Sequence, residues 1–357
     1  MLYLIGLGVA VVVFGFAPPK YGLRQNNYKN YTILCGFLIA IIMGLRHPVT
    51  GSPDTWAYTV LYRNLGNFKD FSIYYDLYLD KADFIFSEWA FYYCTWLLTR
   101  VFRDPQFLIL TTSVFITFSV CRFIRRNSKN VPLALMIYVC LGMFTFNMNG
   151  MRQAVCMAIC LFAYEPAKKR KLIPYLIIVF IAMQFHKSAV FFAPVYLLPI
   201  LKNTKGNWIV FTMGMVLFLM FSNQLFPWFN EATGKEYTSG NAATGGGLFV
   251  ILLYLMGIAL TILCPHALEE KNNSVALFGT IVGLTSYVSR FIYHDMMERF
   301  SYYYFYFLIL LIPAAIDSLD DEEHKIVKMM FIAFALLLFS YRTVTGEFRH
   351  FTLFFLK

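Results

Sequence analysis

Two polar residues at matching depths in neighbouring apolar segments are the side chains of this sequence best placed to do chemistry. Arg152 lies seventeen residues before Lys169, in the basic turn 168–171, and His186 lies seventeen residues after it. If both segments are helices, a rise of about 1.5 Å per residue lifts both side chains roughly 25 Å above the turn. Because a hydrocarbon core is about 30 Å thick, the sequence predicts a transmembrane hairpin that presents a guanidinium and an imidazole together near one boundary.

A guanidinium and an imidazole side by side favour chemistry on a phosphorylated lipid. The guanidinium holds phosphate or pyrophosphate through two parallel hydrogen bonds and keeps its charge at any pH. It can also stabilise the negative charge that grows on a departing headgroup, while a nearby imidazole or carboxylate takes the proton of an attacking hydroxyl. The ordinary alternatives are an arginine that snorkels to the interface and a polar residue that caps a helix end.

The composition predicts the setting of these residues: an all-α, polytopic transmembrane helical bundle of about 12–14 segments, in a single integral membrane domain over residues 1–357. The chain is 59% hydrophobic and only 14% charged, and its apolar runs lack the alternation of barrel strands. The net charge of +10 comes from lysines and arginines in short loops between apolar segments, where such residues set membrane orientation. We therefore expect no nucleic acid as a partner.

The sequence also shows no motif that indicates a cofactor or a metal site. Its seven cysteines are odd in number and lie within or at the ends of apolar segments, a pattern typical neither of a disulfide framework nor of a metal site. Carboxylates are not grouped with histidines at ligand spacing, and no glycine-rich phosphate loop of the nucleotide-binding kind is present. We expect neither a cofactor nor a metal.

Loop charges predict which residues face the outside. They favour a cytoplasmic turn after the first apolar segment and an outer N-terminus, so that a long outer loop covers residues 46–85 and a second outer loop covers residues 227–247. Within the first loop, Asp54 suits the N-cap of a short helix. Two full crossings do not fit between this loop and the next basic cluster, so residues 86–102 are re-entrant or the first three segments are flipped. We favour the re-entrant alternative.

This topology gathers several charged and aromatic side chains on the outer side. They are Arg46, Asp54, Tyr58, Glu88, Arg152, His186, Arg290 and Arg299. The arginine pair in the outer turn 290–299 is unusual, because positive charge is depleted from outer turns. Ionisable groups at membrane depth usually line the interior of a bundle or a wet cavity, which predicts an outward-facing site.

Five short motifs in a fixed order resemble the EpsG-type family of Wzy-like polysaccharide polymerases. They are Gly51-x-x-Asp54-x-x-x-Tyr58, Glu88, Gly150-Met151-Arg152-Gln153, Phe185-His186-Lys187-Ser188-Ala189 and Arg299-Phe300-x-x-Tyr303. The likeness spans nearly the whole chain, and the Phe-His-x-Ser-Ala element is its sharpest part. Pro53 lengthens the usual Gly-x-Asp spacing of the family by one residue.

The resemblance implies a GT-C-like glycosyltransferase, inverting or retaining, in the bacterial cytoplasmic membrane. Such an enzyme joins oligosaccharide repeat units at the outer face of that membrane, with undecaprenyl-pyrophosphate-linked oligosaccharide as donor and acceptor, and its product is an exopolysaccharide, capsule or O-antigen. Membrane lipid and a protein that regulates chain length are the further partners that it implies. Two other classes stay open: a flippase or other transporter of lipid-linked oligosaccharide, and a polysaccharide ligase or acyltransferase.

The expected roles follow from residue type and from the family motifs. The catalytic candidates are His186, Asp54 and Glu88, with His186 or Asp54 as the base. The residues expected to bind pyrophosphate are Arg152, Arg290, Arg299 and Arg46, and those expected to bind glycan are Tyr58, Gln153 and Tyr303.

Overall fold

The fold is all-α, as the composition predicts. A computed structural model describes residues 2–16, 25–49, 53–79, 88–202, 204–233, 248–269, 271–291, 296–319 and 321–355. Within these ranges the chain forms α-helices and short 3₁₀ helices, and the one β-type contact is an isolated antiparallel bridge between Arg46 and Leu353.

The first half of the chain holds nine α-helices in the described ranges. They are α1 (Leu2–Phe16), α2 (Gln25–Gly44), α3 (Pro53–Gly66), α4 (Phe71–Tyr78), α5 (Trp89–Val101), α6 (Gln106–Asn127), α7 (Val131–Cys140), α8 (Met143–Asn149) and α9 (Met151–Lys168).

The second half of the described chain alternates α-helices with 3₁₀ segments. The α-helices are α10 (Leu172–Phe185), α11 (Lys205–Thr233), α12 (Leu248–Leu263), α13 (Lys271–Ser289), α14 (Met296–Ile316) and α15 (Asp321–Thr345). The 3₁₀ helices are Lys187–Tyr196, Leu198–Ile200, Pro265–Glu269 and Glu347–His350.

Helix length and composition make this a membrane protein. Among the described residues, α6, α14 and α15 are each long and apolar enough to cross a bilayer. The pair α7 and α8 makes a fourth such element if it is one broken span, bent by 51° between its halves. Six shorter apolar helices accompany them in the same part of the chain, which agrees with a polytopic bundle.

The described residues pack into two compact units. The first unit comprises Met1–Phe162, Ile178–Ala189 and Lys325–Lys357, and the second comprises Ala163–Ile177 and Val190–His324. In the first unit α1 packs on α7, α2 on α6 and α3 on α5, while in the second unit α13 packs closely on α14 and also on α12. The single integral domain over residues 1–357 stays a prediction.

The predicted outer loop 46–85 contains two helices, α3 and α4. Helix α4 is capped by Asp70, whose carboxylate accepts a hydrogen bond from the Ser72 amide at 3.0 Å. The prediction that Asp54 caps α3 is wrong, because the helix already begins at Pro53 and Asp54 lies inside its first turn. Proline suits a first helical position, since its fixed φ matches the helix and its missing N–H is not needed there.

The structure tests two further loop predictions, each only in part. Helix α5 has 13 residues, about 20 Å at the rise of an α-helix, so it is too short to cross a bilayer alone. This length favours the re-entrant interpretation of residues 86–102, whose direction stays a prediction. In the predicted second loop, residues 227–233 continue helix α11 and residues 234–247 lie outside the described residues.

The break between α7 and α8 depends on a glycine. Gly142 has φ 110°, a left-handed conformation that side chains with a Cβ rarely adopt. A Cβ built at this position would also lie 2.8 Å from Nη1 of Arg342. The backbone angle therefore requires glycine at the bend, whereas the guanidinium ends a flexible side chain and can move aside.

We expect Gly142→Ala to destabilise the first unit by about 1–2 kcal/mol, the cost of a left-handed residue with a side chain. The measurement is the thermal unfolding midpoint of the detergent-solubilised protein. The matched control is Gly6→Ala in helix α1, where a new Cβ meets no atom within 4 Å and where alanine favours a helix more than glycine does. Equal midpoints for the two variants would contradict the role assigned to Gly142.

Candidate functional site

The predicted hairpin is present, and its two polar residues lie at helix ends. Helices α9 and α10 are joined by residues 169–171, with Arg170 in a left-handed conformation at φ 57°. Arg152 is the second residue of α9, and His186 directly follows the last residue of α10. Both residues belong to the first unit, and a third charged residue links them.

That third residue is Glu88, whose carboxylate bridges the two ends. Its Oε2 lies 2.9 Å from Nη1 of Arg152, and its Oε1 accepts a hydrogen bond from the Lys187 amide at 3.0 Å. The same Oε1 lies 3.6 Å from Nδ1 of His186. The structure therefore brings together three of the predicted site residues, Glu88, Arg152 and His186, in one cluster.

The backbone of Glu88 adopts an energetically unfavourable conformation. It precedes helix α5 with φ 56° and ψ 27°, and its side chain does not cap that helix. A left-handed conformation costs an ordinary residue about 1–2 kcal/mol, and such outliers persist where the surrounding contacts determine them. Here the contacts are those of the carboxylate, which is almost fully buried at 6% exposure.

The Arg152 side chain contacts several groups but stays partly exposed. Its Nη1 donates to the Tyr92 hydroxyl at 2.7 Å, and its guanidinium carbon lies 5.7 Å from the centre of that ring. Its side chain is 21% exposed, against 6% for Glu88. Its Nε is buried and has no hydrogen-bond partner among the described residues. The guanidinium is thus oriented through Nη1, while part of the side chain stays exposed.

The backbone around His186 is fixed by contacts with the start of the hairpin. Its carbonyl accepts a hydrogen bond from the Cys156 thiol at 3.4 Å and another from the Ala189 amide at 3.0 Å. Cys156 lies one helical turn after Arg152 on α9, so this contact sets the distance between the two ends of the hairpin. The imidazole itself is partly exposed, at 15%.

Helix α3 brings two more predicted residues to this side of the first unit. The Tyr58 hydroxyl accepts a hydrogen bond from the Arg152 amide at 3.3 Å, and its ring packs edge-on against Phe91. Burial raises the pKa of Tyr58, against the lowering effect of the nearby Arg152 charge, so the phenol keeps its proton at neutral pH. Asp54 lies one turn earlier on the same helix and is exposed.

Arg46 and Gln153 are both buried in the first unit. The Arg46 guanidinium donates to Ser113 Oγ at 3.2 Å, to the Met148 carbonyl at 3.0 Å and to the Met43 carbonyl. It therefore joins the end of α2 to α6 and α8, and this set of partners is typical of a structural arginine. Pyrophosphate binding by Arg46 and glycan binding by Gln153 stay predictions.

The remaining predicted residues belong to the second unit. Arg290 is buried, with Nη1 2.7 Å from Oε2 of Glu298 and donating to the Tyr287 hydroxyl at 2.6 Å. Arg299 is exposed on the first turn of α14. Tyr303 is buried and packs near Phe192. Their roles at pyrophosphate or glycan stay predictions.

Sequence reasoning missed three parts of the cluster: Tyr92, Cys156 and the Lys187 amide. Tyr92 lies on the first turn of α5, whereas Glu88 precedes that helix in a left-handed conformation, so helical spacing does not predict their shared contact with Arg152. Cys156 follows Arg152 by four residues on α9, but a cysteine in an apolar segment gives no sign that its thiol donates to a carbonyl. The amide of Lys187 had no signal, because any non-proline residue carries one.

Chemically, the cluster can hold a phosphate group and carries an imidazole beside it. Charge-assisted hydrogen bonds from a preorganised guanidinium are the stronger kind. Among the described residues, no group of three His, Cys, Asp or Glu side chains could hold a metal ion. The charged and titratable side chains of the cluster are Arg152, Glu88 and His186.

We expect Glu88→Ala to destabilise the protein by about 3 kcal/mol, since removing one member of a buried ion pair leaves the other charge uncompensated. The thermal unfolding midpoint in detergent is the measurement. Glu88→Ala combined with Arg152→Ala is expected to lower the midpoint by clearly less than the sum of the two single changes.

A matched control for this cycle is Glu165→Ala. Glu165 pairs with Lys168 at 2.8 Å, and both side chains are about one fifth exposed, at 21% and 17%. A more exposed pair of this kind contributes about 0–1 kcal/mol. Additive losses for Glu88 and Arg152, or an equally large loss for Glu165, would show that Glu88 does not hold the cluster.

Comparison with protein-family models gives a match to the EpsG family over residues 29–355. Comparison with curated proteins gives no match. No solved structure matches either, so the GT-C-like architecture stays a prediction. The matched region covers nearly the whole chain and contains Glu88, Arg152 and His186, which confirms the resemblance, and the chain belongs to the EpsG family.

Proposed function

We propose that this protein is a polysaccharide polymerase, a glycosyltransferase that joins oligosaccharide repeat units carried on undecaprenyl pyrophosphate. The EpsG family is associated with exopolysaccharide polymerases, which supports the general class. The single observation that carries the proposal is the Arg152–Glu88–His186 cluster at the end of a helical hairpin. It combines an oriented phosphate-binding cation with an imidazole beside it.

Arg152 is the residue that binds the pyrophosphate of the lipid donor. Glu88 and Tyr92 hold one terminal nitrogen of the guanidinium at 2.9 and 2.7 Å, so little side-chain freedom is lost when a ligand binds. The remaining donors of the planar fork suit the two oxygens of a phosphate group. Donors that are in place before the reaction stabilise growing charge without reorganising.

Glu88 acts as a positioning residue and not as the base. Both of its oxygens accept hydrogen bonds, from Arg152 and from the Lys187 amide. Such contacts stabilise the ionised carboxylate and oppose its protonation. The base that takes the proton of the attacking hydroxyl is therefore His186 or Asp54, both of which are more exposed than Glu88.

The reaction exchanges one bond to carbon for another. The bond between the anomeric carbon of the donor glycan and the pyrophosphate oxygen breaks, and its electron pair stays on the pyrophosphate. The acceptor hydroxyl oxygen forms the new bond to that carbon, and its proton passes to the base. The products are a longer lipid-linked glycan and free undecaprenyl pyrophosphate.

The setting of this reaction is part of the same proposal. The site faces outward from the bacterial cytoplasmic membrane, where both lipid-linked substrates are available, and a separate protein regulates chain length. Pyrophosphate binding by Arg290 and Arg299, and glycan binding by Tyr58, Gln153 and Tyr303, are further parts of the proposal. The basic turn 168–171 supports this orientation, because such turns face the cytoplasm.

We expect Arg152→Ala to reduce polymer formation by about 10²–10³-fold, the usual effect of losing a donor to developing charge. The measurement is the length of lipid-linked glycan on gel ladders, in cells that lack the endogenous protein. Arg152→Lys is expected to restore little, because a lysine cannot replace the planar fork. The control is Arg103→Ala, an exposed arginine outside the cluster, which should give a full ladder.

The same assay separates the other classes. A full ladder from Arg152→Ala would overturn the assignment of the site. If surface labelling finds no single repeat units at the outer face without the protein, a transporter accounts for the data. If ladders form in cells without the protein but are not transferred to their final acceptor, the protein is a ligase.

A further inference from the structure

The imidazole of His186 meets a fixed hydrogen-bond donor at one of its two nitrogens. Nδ1 accepts a hydrogen bond from the Ser188 amide at 3.2 Å, and the Ser188 hydroxyl lies 2.8 Å from the same atom. The hydroxyl can rotate and either donate or accept, but a backbone N–H can only donate. Nδ1 must therefore offer its lone pair, and in the neutral ring the proton is on Nε2.

The charged groups around the ring do not reverse this assignment. Among the described residues the nearest is Glu88, whose Oε1 is 3.6 Å from Nδ1, beyond normal hydrogen-bond length. That oxygen already accepts the Lys187 amide at 3.0 Å, and the other carboxylate oxygen pairs with Arg152. The Cys156 thiol contacts the His186 carbonyl and not the ring. The Ser188 amide, as a donor that cannot accept, thus places the lone pair on Nδ1 and the proton of the neutral ring on Nε2.

We propose that the Ser188 amide holds His186 in the Nε2–H form, so that His186 donates a hydrogen bond to the departing pyrophosphate and does not act as the base. This inference rests on the polymerase function proposed above and assigns a role within its site. Ser188 is the positioning residue and His186 is the group that touches substrate. A neutral ring with its proton on Nε2 has no lone pair there to take a proton from a hydroxyl.

The electron and proton balance of the reaction is then complete. As the bond from the anomeric carbon to oxygen breaks, the electron pair moves onto the pyrophosphate oxygen. The Nε2–H of His186 and the guanidinium of Arg152 stabilise that charge by hydrogen bonds, without proton transfer. The proton of the acceptor hydroxyl passes to the Asp54 carboxylate, the other candidate base, as the new carbon–oxygen bond forms.

Two substitutions at His186 distinguish a donor from a base. Gln carries an amide N–H about as far from the backbone as Nε2, whereas the shorter Asn ends near the position of Nδ1 and can still accept from the Ser188 amide. Neither side chain can act as a base. We expect His186→Gln to keep at least about a tenth of the wild-type polymerisation rate, and His186→Asn to lose about 10²-fold or more.

The measurement is the initial rate of ladder formation by purified protein in lipid nanodiscs, with lipid-linked repeat units as substrate. A His186→Gln rate no higher than that of His186→Asn overturns the donor role, because a lost base reduces both rates by about 10²–10⁴-fold. The exposed His266 provides the control. Its substitution by Gln should leave the rate unchanged.

The tautomer is also measured directly, by ¹⁵N NMR of the ring-labelled protein in nanodiscs. His186 is assigned as the signal that is lost in His186→Gln. Two other histidines are internal references, because Nδ1 of His47 accepts the Val49 amide at 3.2 Å and Nδ1 of His324 lies 2.8 Å from the Ile316 carbonyl oxygen. His47 should therefore show the Nε2–H form and His324 the Nδ1–H form.

The two readouts keep this inference separate from the proposed function. A His186 signal of the His324 type overturns the assignment even if polymerisation is intact. A His186 signal of the His47 type, in a protein whose wild type makes no polymer, supports the tautomer and leaves only the proposed function in error. The spectrum requires no substrate, so it does not depend on the identity of the sugars.

Discussion

The buried carboxylate of Glu88 is the interaction on which the site depends. Its two oxygens bind a guanidinium at the start of α9 and an amide just after α10, so one side chain fixes both ends of the hairpin. A carboxylate at 6% exposure is stable only when such partners are in place. The left-handed backbone of Glu88 shows that the chain accepts local strain for these contacts.

A second set of contacts supports the same region through backbone carbonyls. The Met148 carbonyl, at the end of α8, accepts hydrogen bonds from the Arg46 guanidinium at 3.0 Å and from the Thr55 hydroxyl at 3.4 Å. These bonds tie α8 to α2 and to the first turn of α3, which also carries Asp54. Arg46 and Arg152 therefore differ in their partners: Arg46 donates to carbonyl groups at helix ends, whereas Arg152 pairs with a carboxylate and stays partly exposed.

Much of the site could be predicted because its signals are local. The equal distances of Arg152 and His186 from the basic turn predicted that they lie side by side, and the apolar runs, which lack strand alternation, predicted the helices. The central role of Glu88 could not be predicted, since it lies 64 residues before Arg152 and only the folded chain brings the two together. For the same reason the sequence did not show that Arg46 turns toward carbonyls, because an arginine at a helix end can equally face a ligand.

The chain order of the Glu88–Arg152 pair has a consequence for biogenesis. A lone charge costs about 2.5–3.5 kcal/mol to insert at the membrane centre and less near a boundary, and a pair reduces this cost. Glu88 is synthesised before Arg152, so the carboxylate precedes the guanidinium at the ribosome. The order of the chain thus allows Arg152 to be inserted as one member of an ion pair and not as a lone charge.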